Sequence, residues 1–154
     1  MEKLHFSIVI NAPRQKVWNI MLGNESYREW TDVFMPGSHF VGNWETGSKM
    51  LFLGPGKNGT MSGMVSRIQE SRPYEYISIE HIGIVQEGKE DTSSASVKEW
   101  AGAHENYTFK EKSAATELLV EMDSVDEYKE MFQSTWPRAL QKLKAMAENS
   151  VSQL

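Results

Sequence analysis

The sequence predicts an α+β fold in which one antiparallel sheet is covered by a single long helix. Three observations predict it. Residues 126–149 carry Tyr128, Met131, Phe132, Thr135, Trp136, Ala139, Leu140, Leu143, Met146 and Ala147 in one stripe at helical spacing. Between Ser38 and Met122, short alternating segments are broken by polar turns, the pattern of a meandering sheet. A further strand and one or two short helices precede them. An antiparallel sheet with one apolar face needs a cover. A helix of ~24 residues spans ~36 Å, enough to lie across that face.

The elements follow in order. Lys3–Ile10 alternates, with Leu4, Phe6, Ile8 and Ile10 on the buried side. Asn11 is expected to cap the next helix, with Pro13 in its first turn. Val17, Trp18, Met21 and Leu22 give that helix its period, and Gly23 and Asn24 end it. Ser26–Trp30 reads as a second short helix before a loop around Phe34, Pro36 and Gly37. Strands are expected over Ser38–Trp44, Lys49–Leu53, Gly59–Gln69 and Tyr74–Ile82, with a bulge or close backbone approach at Gly63. Glu105–Lys112 and Ala115–Met122 form a hairpin around Ser113. The polar stretch VQEGKEDTSSASVKEW (residues 85–99 and Trp100) reads as a mobile loop or long hairpin tip, with a lid as its functional alternative. Ser124 or Asp126 is expected to cap the last helix, and Pro137 to kink it near Gln133–Trp136. Residues 1–149 then form a single domain and 150–154 a frayed tail.

Composition narrows the function classes. The 154 residues hold 16 Lys and Arg against 21 Asp and Glu, a formal charge of −5, which argues against a nucleic-acid partner and against adhesion to an anionic membrane. The absence of Cys excludes disulfides, zinc–thiolate sites and thiol nucleophiles. No apolar run approaches the ~20 residues of a membrane span, and the N-terminus MEKLHFSIVI lacks the parts of a signal peptide. A cytoplasmic protein without membrane insertion is expected. His5, His39, His81 and His104 lack metal-ligand spacing, and GPGKNG lacks the spacing of a phosphate loop, so neither a metal nor a cofactor is expected.

Four segments carry a resemblance: NAPRQKVW, YREWTDVFMPGSHFVGNWETGS, GTMSGMVSRIQESRPYEYISI and WPRALQKLK. In this order the chain resembles the START-like, or SRPBCC, superfamily. Its branch is named after the activator of heat shock protein 90 ATPase and is often described as polyketide cyclase-like. The resemblance implies a helix-grip fold, a curved antiparallel sheet of about six or seven strands around the long C-terminal helix, with two short helices after the first strand. It further implies a cavity between sheet and helix for a small apolar or amphipathic molecule such as a lipid. Cyclase or dehydrase chemistry and a chaperone partner are the alternatives it brings. A monomer or weak dimer is expected.

Alternation also places chemistry inside that cavity. His81 shares a face with Ile77 and Ile79, and Glu105 shares one with Tyr107 and Phe109. If the two strands pair as an antiparallel hairpin, His81 and Glu105 meet near its loop end. Such a pair binds a polar head, works as general base and orienter if the protein is an enzyme, or is a structural His satisfied by an acid. Trp30, Phe34, Trp44, Phe52, Met61, Trp100, Tyr107, Met131, Phe132 and Trp136 are the expected pocket walls. Such pockets are mostly apolar, with few placed polar groups. Packed core is the plainer reading of each aromatic taken singly.

Overall fold

The structure is a computed structural model that describes residues 1–56 and 59–149. The expected tail at 150–154 and the centre of GPGKNG lie outside the described residues. Strand β1 (Glu2–Ile10) leads into helices α1 (Arg14–Leu22) and α2 (Asn24–Trp30) and a short 3-10 turn at Thr31–Val33. Strands β2 (His39–Val41), β3 (Lys49–Pro55), β4 (Met61–Arg72), β5 (Tyr76–Gln86) and β6 (Lys89–Asp91) follow. Helix α3 (Ala95–Lys98), strands β7 (Ala103–Lys112) and β8 (Ala115–Ser124), and helix α4 (Asp126–Asn149) complete the described chain. All strand pairs are antiparallel, in the order β1-β8-β7-β5-β4-β3-β2, with β6 beside β5.

The predicted α+β class and cover are therefore observed, with one strand more than expected. That strand, β6, lies in the stretch expected to be a mobile loop. A tight turn at Glu87 and Gly88 folds it back on β5. The Asp91 carboxylate accepts from the Ser93 and Ser94 amides, and Ser94 Oγ caps α3 through the Val97 amide. Val97 is buried. Local side-chain-to-backbone bonds order a segment whose composition alone reads as a solvated loop.

One apolar face of the sheet meets the helices. Leu4, Ile10, Met50, Ile68, Ile77, Phe109 and Leu118 join Val17 and Met21 of α1 and Trp136, Leu140 and Leu143 of α4 in one core. Each such fully buried side chain contributes about 1.5–3 kcal/mol of transfer free energy. Helix α4 stays helical through Pro137. Its first turn holds Asp126, while Ser124 donates to the Val125 carbonyl instead of capping. Asn11 is likewise not a cap. The chain turns through an Ala12 N–H to Ile10 bond, Pro13 takes the cap position, and the Asn11 amide donates to Glu148 at 2.8 Å.

Other boundaries move for local reasons. Gly23 ends α1 and starts α2, so α2 begins at Asn24 rather than Ser26. Tyr74 sits in a turn at φ 69°, and β5 starts two residues later. Gly63 is the expected close approach but not a bulge, since it stays in register with Leu53. Its φ is 156°, and a Cβ there would lie 1.8 Å from the Phe52 carbonyl oxygen. The irregularities fall instead between Val65 and Ser66 and between Ile68 and Glu70. They leave Ile82 and Gln69 unpaired, and such bulges bend a sheet.

Gly63→Ala is expected to destabilise the fold by about 3 kcal/mol or more, because the colliding atom is backbone; urea unfolding measures it. On the outer face, burial pushes the Asp123 carboxyl up. Bonds from the His104 amide and Lys3, with the Lys3 charge, outweigh burial and hold it below its usual value. A depressed folded pKa stabilises above the unfolded value and is lost as pH falls through the folded one. Asp123→Asn is therefore expected to cost about 1 kcal/mol at pH 7, discounted for exposure. That cost should fade below about pH 4, read by urea unfolding across pH.

Candidate functional site

The inward face of three adjacent strands carries a short polar line. On β5, alternation continues from Ile77 and Ile79 to His81. On β4, Ser66 faces His81 across the pair. On β7, Glu105 lies opposite Ile79 and therefore diagonal to His81. Diagonal neighbours are within reach of long side chains. Ser66 Oγ is 2.7 Å from His81 Nδ1, and His81 Nε2 is 3.1 Å from Glu105 Oε1. The Tyr107 hydroxyl donates to the other carboxylate oxygen, Glu105 Oε2.

Proton placement follows from the inventory of groups. With Glu105 accepting from both sides, neutral His81 donates through Nε2 and accepts at Nδ1 from the Ser66 hydroxyl. Every polar atom of the line is then paired inside an apolar interior, as burial demands. Burial, then the Glu105 charge, push the Tyr107 phenol well above its usual pKa, and its bond to Glu105 adds to this. The same two causes, in the same order, raise Tyr27 on α2. Both phenols keep their protons at neutral pH. Ser66 is fully buried, whereas the His81 and Glu105 side chains keep 14% and 18% of their exposure and so can be reached from outside.

Aromatic rings surround this line. The Phe52 ring stands edge-on to His81 at 6.2 Å. Tyr27 meets Phe40 at 5.0 Å and Phe52 at 6.2 Å. Trp44 packs on Phe52 and donates its indole N–H to the Leu22 carbonyl. Trp30 donates its own to the Met21 carbonyl. The last turn of α1 thus anchors two indoles, which orients the polar handle of each large ring. Trp136 of α4 contacts Trp30, Phe34 and Tyr107.

These positions sort the expected pocket walls. Trp30, Tyr107 and Trp136 are almost fully buried and act as packed core at the deep end. Phe34, Trp44, Phe52 and Phe132 are half-buried at its edge. Beyond the Ile82 bulge, Phe52, Met64 and Ile84 are cross-strand neighbours on the inward face, each half-buried. Met35 lies directly over Gly54 at the end of β3. Three expectations fit less well. Met61 is exposed and three residues from Met64, so alternation puts it on the opposite face of β4. Met131 is exposed at the start of α4. Trp100 is half-buried in the turn after α3 and joins none of the ring pairs among the described residues.

Sequence reasoning missed Ser66, Met64, Ile84, Phe40 and Tyr27. For three of them a signal was present. Met64, Ser66 and Ile68 alternate within β4, and Tyr27 sits one turn before Trp30 on the same helix face. Two hollows lie away from the polar line. One of about 810 Å³ separates α2 from the end of α4, between Glu25, Glu29, Lys142 and Met146. One of about 280 Å³ indents the sheet near His5, Asn106 and Glu121. Among the described residues, no cluster of three or more His, Asp and Glu could hold a metal, and no helix is long and apolar enough to cross a membrane.

Tyr107→Phe deletes one donor to a half-buried carboxylate. It is expected to destabilise by about 1.5–3 kcal/mol, measured by urea unfolding at pH 7.

Residues 11–148 match the sequence profile of the family described as Activator of Hsp90 ATPase homolog 1-like protein. Among solved structures, the chain is similar to ChR145 from Cytophaga hutchinsonii, at 19% identity and a TM-score of 0.72, covering 99% of this chain and 97% of that one. It is similar to the Aha1 dimer from Colwellia psychrerythraea, at 14% identity and 0.70, covering 96% and 97%. DynU16, a protein of the dynemicin biosynthetic locus, matches at 13% identity and 0.65, covering 94% of this chain and 46% of that one. At such identities these likenesses establish the fold alone, a helix-grip sheet around a long terminal helix. No curated protein sequence matches the chain. The match over residues 11–148, on this fold, places the chain in the Activator of Hsp90 ATPase homolog 1-like protein family.

Proposed function

We propose that the protein binds a small apolar or amphipathic molecule between the inner sheet face and α4, with its polar head at His81 and Glu105. One observation carries the reading. A fully paired polar line, Ser66–His81–Glu105–Tyr107, is set into an apolar face, and its two central members remain partly accessible. A purely structural pair would be served as well by complete burial. The apolar body of the guest would rest on Phe52, Met64 and Ile84, where the inner face is half-buried. Pockets of this kind are apolar with a few oriented polar groups. Met35, flexible and exposed over Gly54 at the edge, suits guests of varied shape.

A second reading rests on the same line. A His held between a hydroxyl and a carboxylate is a positioned base. Cyclase-like proton transfer would then act on the bound guest, and the likeness to DynU16 favours testing it. In that case His81→Ala abolishes turnover while binding survives. The family description and the likeness to the Aha1 dimer raise contact with a chaperone or a second copy as the remaining alternative.

Binding to the native state raises its melting temperature. A panel of apolar and amphipathic small molecules is expected to raise Tm in a concentration-dependent way. Ile84→Trp, which fills the half-buried face without touching the polar line, is expected to remove the shift. A melting temperature indifferent to every compound, with chaperone capture unchanged by Ile84→Trp, would sink the binding reading in favour of the surface one.

A further inference from the structure

We infer that the polar line at His81 and Glu105 selects a guest with a cationic amine head, an alkylammonium-like amphiphile, and turns away a carboxylate head. The inference rests on the binding reading above and specifies its ligand class. It follows from where the donors of the line are spent. The Ser66 hydroxyl gives its hydrogen to His81 Nδ1 at 2.7 Å, His81 Nε2–H goes to Glu105 Oε1 at 3.1 Å, and the Tyr107 hydroxyl goes to Glu105 Oε2. No donor of these side chains is left over. Ser66 is fully buried and Tyr107 nearly so, which closes both ends of the line to a guest. A carboxylate has about four lone-pair sites, and each Glu105 oxygen accepts one bond here while the side chain keeps 18% of its exposure. The line therefore presents acceptors alone to its accessible side.

Charge points the same way. Among the described residues, His81 is the one basic side chain within ion-pair distance of Glu105, and it is neutral when Nδ1 accepts from Ser66. No Lys or Arg among them offsets this carboxylate, and a charge in apolar surroundings is costly unless paired. An ammonium head supplies both N–H donors and the missing positive charge, while its chain rests on Phe52, Met64 and Ile84. An alcohol supplies one donor and no charge. A carboxylate supplies neither and meets Glu105 as a like charge. Protonating His81 would not hold it, because both ring nitrogens stay engaged and no N–H is freed.

The test compares octylammonium, 1-octanol, octanoate and octyltrimethylammonium by isothermal titration against the full chain at pH 7.5. The formal charge of −5 draws any cation toward the surface, and octyltrimethylammonium, which has the charge but no N–H, controls for this. Octylammonium is expected to bind about tenfold or more tightly than octanol and octyltrimethylammonium, with octanoate weakest. Glu105→Gln should bring octylammonium to within about threefold of octanol, because the charge it pairs with is gone. Circular dichroism melts confirm that the variant folds. If it does not, nuclear magnetic resonance of the unaltered protein carries the test: the His81 ring nitrogens should shift with octylammonium and saturate at the calorimetric Kd. Octanol, octanoate or octyltrimethylammonium binding as tightly as octylammonium overturns the cationic-head inference while the binding reading stands. So does an octylammonium preference that survives Glu105→Gln or leaves the His81 ring unmoved. Binding by none of the probes overturns both.

Discussion

Glu105 is the constraint on which the interior depends. A carboxylate set into an apolar face must find its donors within the fold, and here they come from β5 and from its own strand. That requirement ties β7 to β5 in one register, because only the diagonal placement brings His81 Nε2 to Glu105. It ties β5 to β4 as well, since the second ring nitrogen is met by Ser66. A shift of one residue in either pair would turn the partner to the other face of the sheet and leave a charge or a ring nitrogen alone.

The rest of the architecture keeps that line half-enclosed. Helix α1 holds the indoles of Trp30 and Trp44 by its terminal carbonyls, and α4 brings Trp136 against Trp30, Phe34 and Tyr107. The deep end is thereby filled with rings. Bulges in the β4–β5 pair bend the sheet beyond His81, and there Phe52, Met64 and Ile84 stay only half-covered. Filled depth and open edge together suit a guest whose head reaches the polar line while its apolar body lies along the exposed end. Closed packing throughout would have left His81 and Glu105 no accessible surface.

Much of this was legible in the residues. Two-residue alternation in IEHIG and ENYTF puts His81 and Glu105 on the inner face, and the stripe from Phe132 to Ala147 marks α4 as its cover. What alternation could not show is how far the deep rings pack on one another. Trp30 and Trp136 look alike in a list of aromatics whether they line a void or fill it. Met61 went astray because strand limits read from Gly59 gave no parity for that end of β4. Tyr27 went unread because its neighbours, Glu25, Arg28 and Glu29, give α2 a polar character that hides one apolar face. The polar stretch before Trp100 misled for a related reason. Its serines and aspartate bond to nearby backbone, a local ordering that composition does not display.

The central claim is that the accessible part of the inner face receives a small molecule. The most direct measurement is a titration of isotopically labelled protein with a water-soluble amphipathic alcohol, followed by nuclear magnetic resonance. The account predicts that the largest shift changes fall on the His81 ring, the Met64 methyl and the Ile84 methyls, saturating together. Changes confined to the α2–α4 groove around Ile20 and Met146, or to the outer sheet around His5 and Asn106, would contradict it.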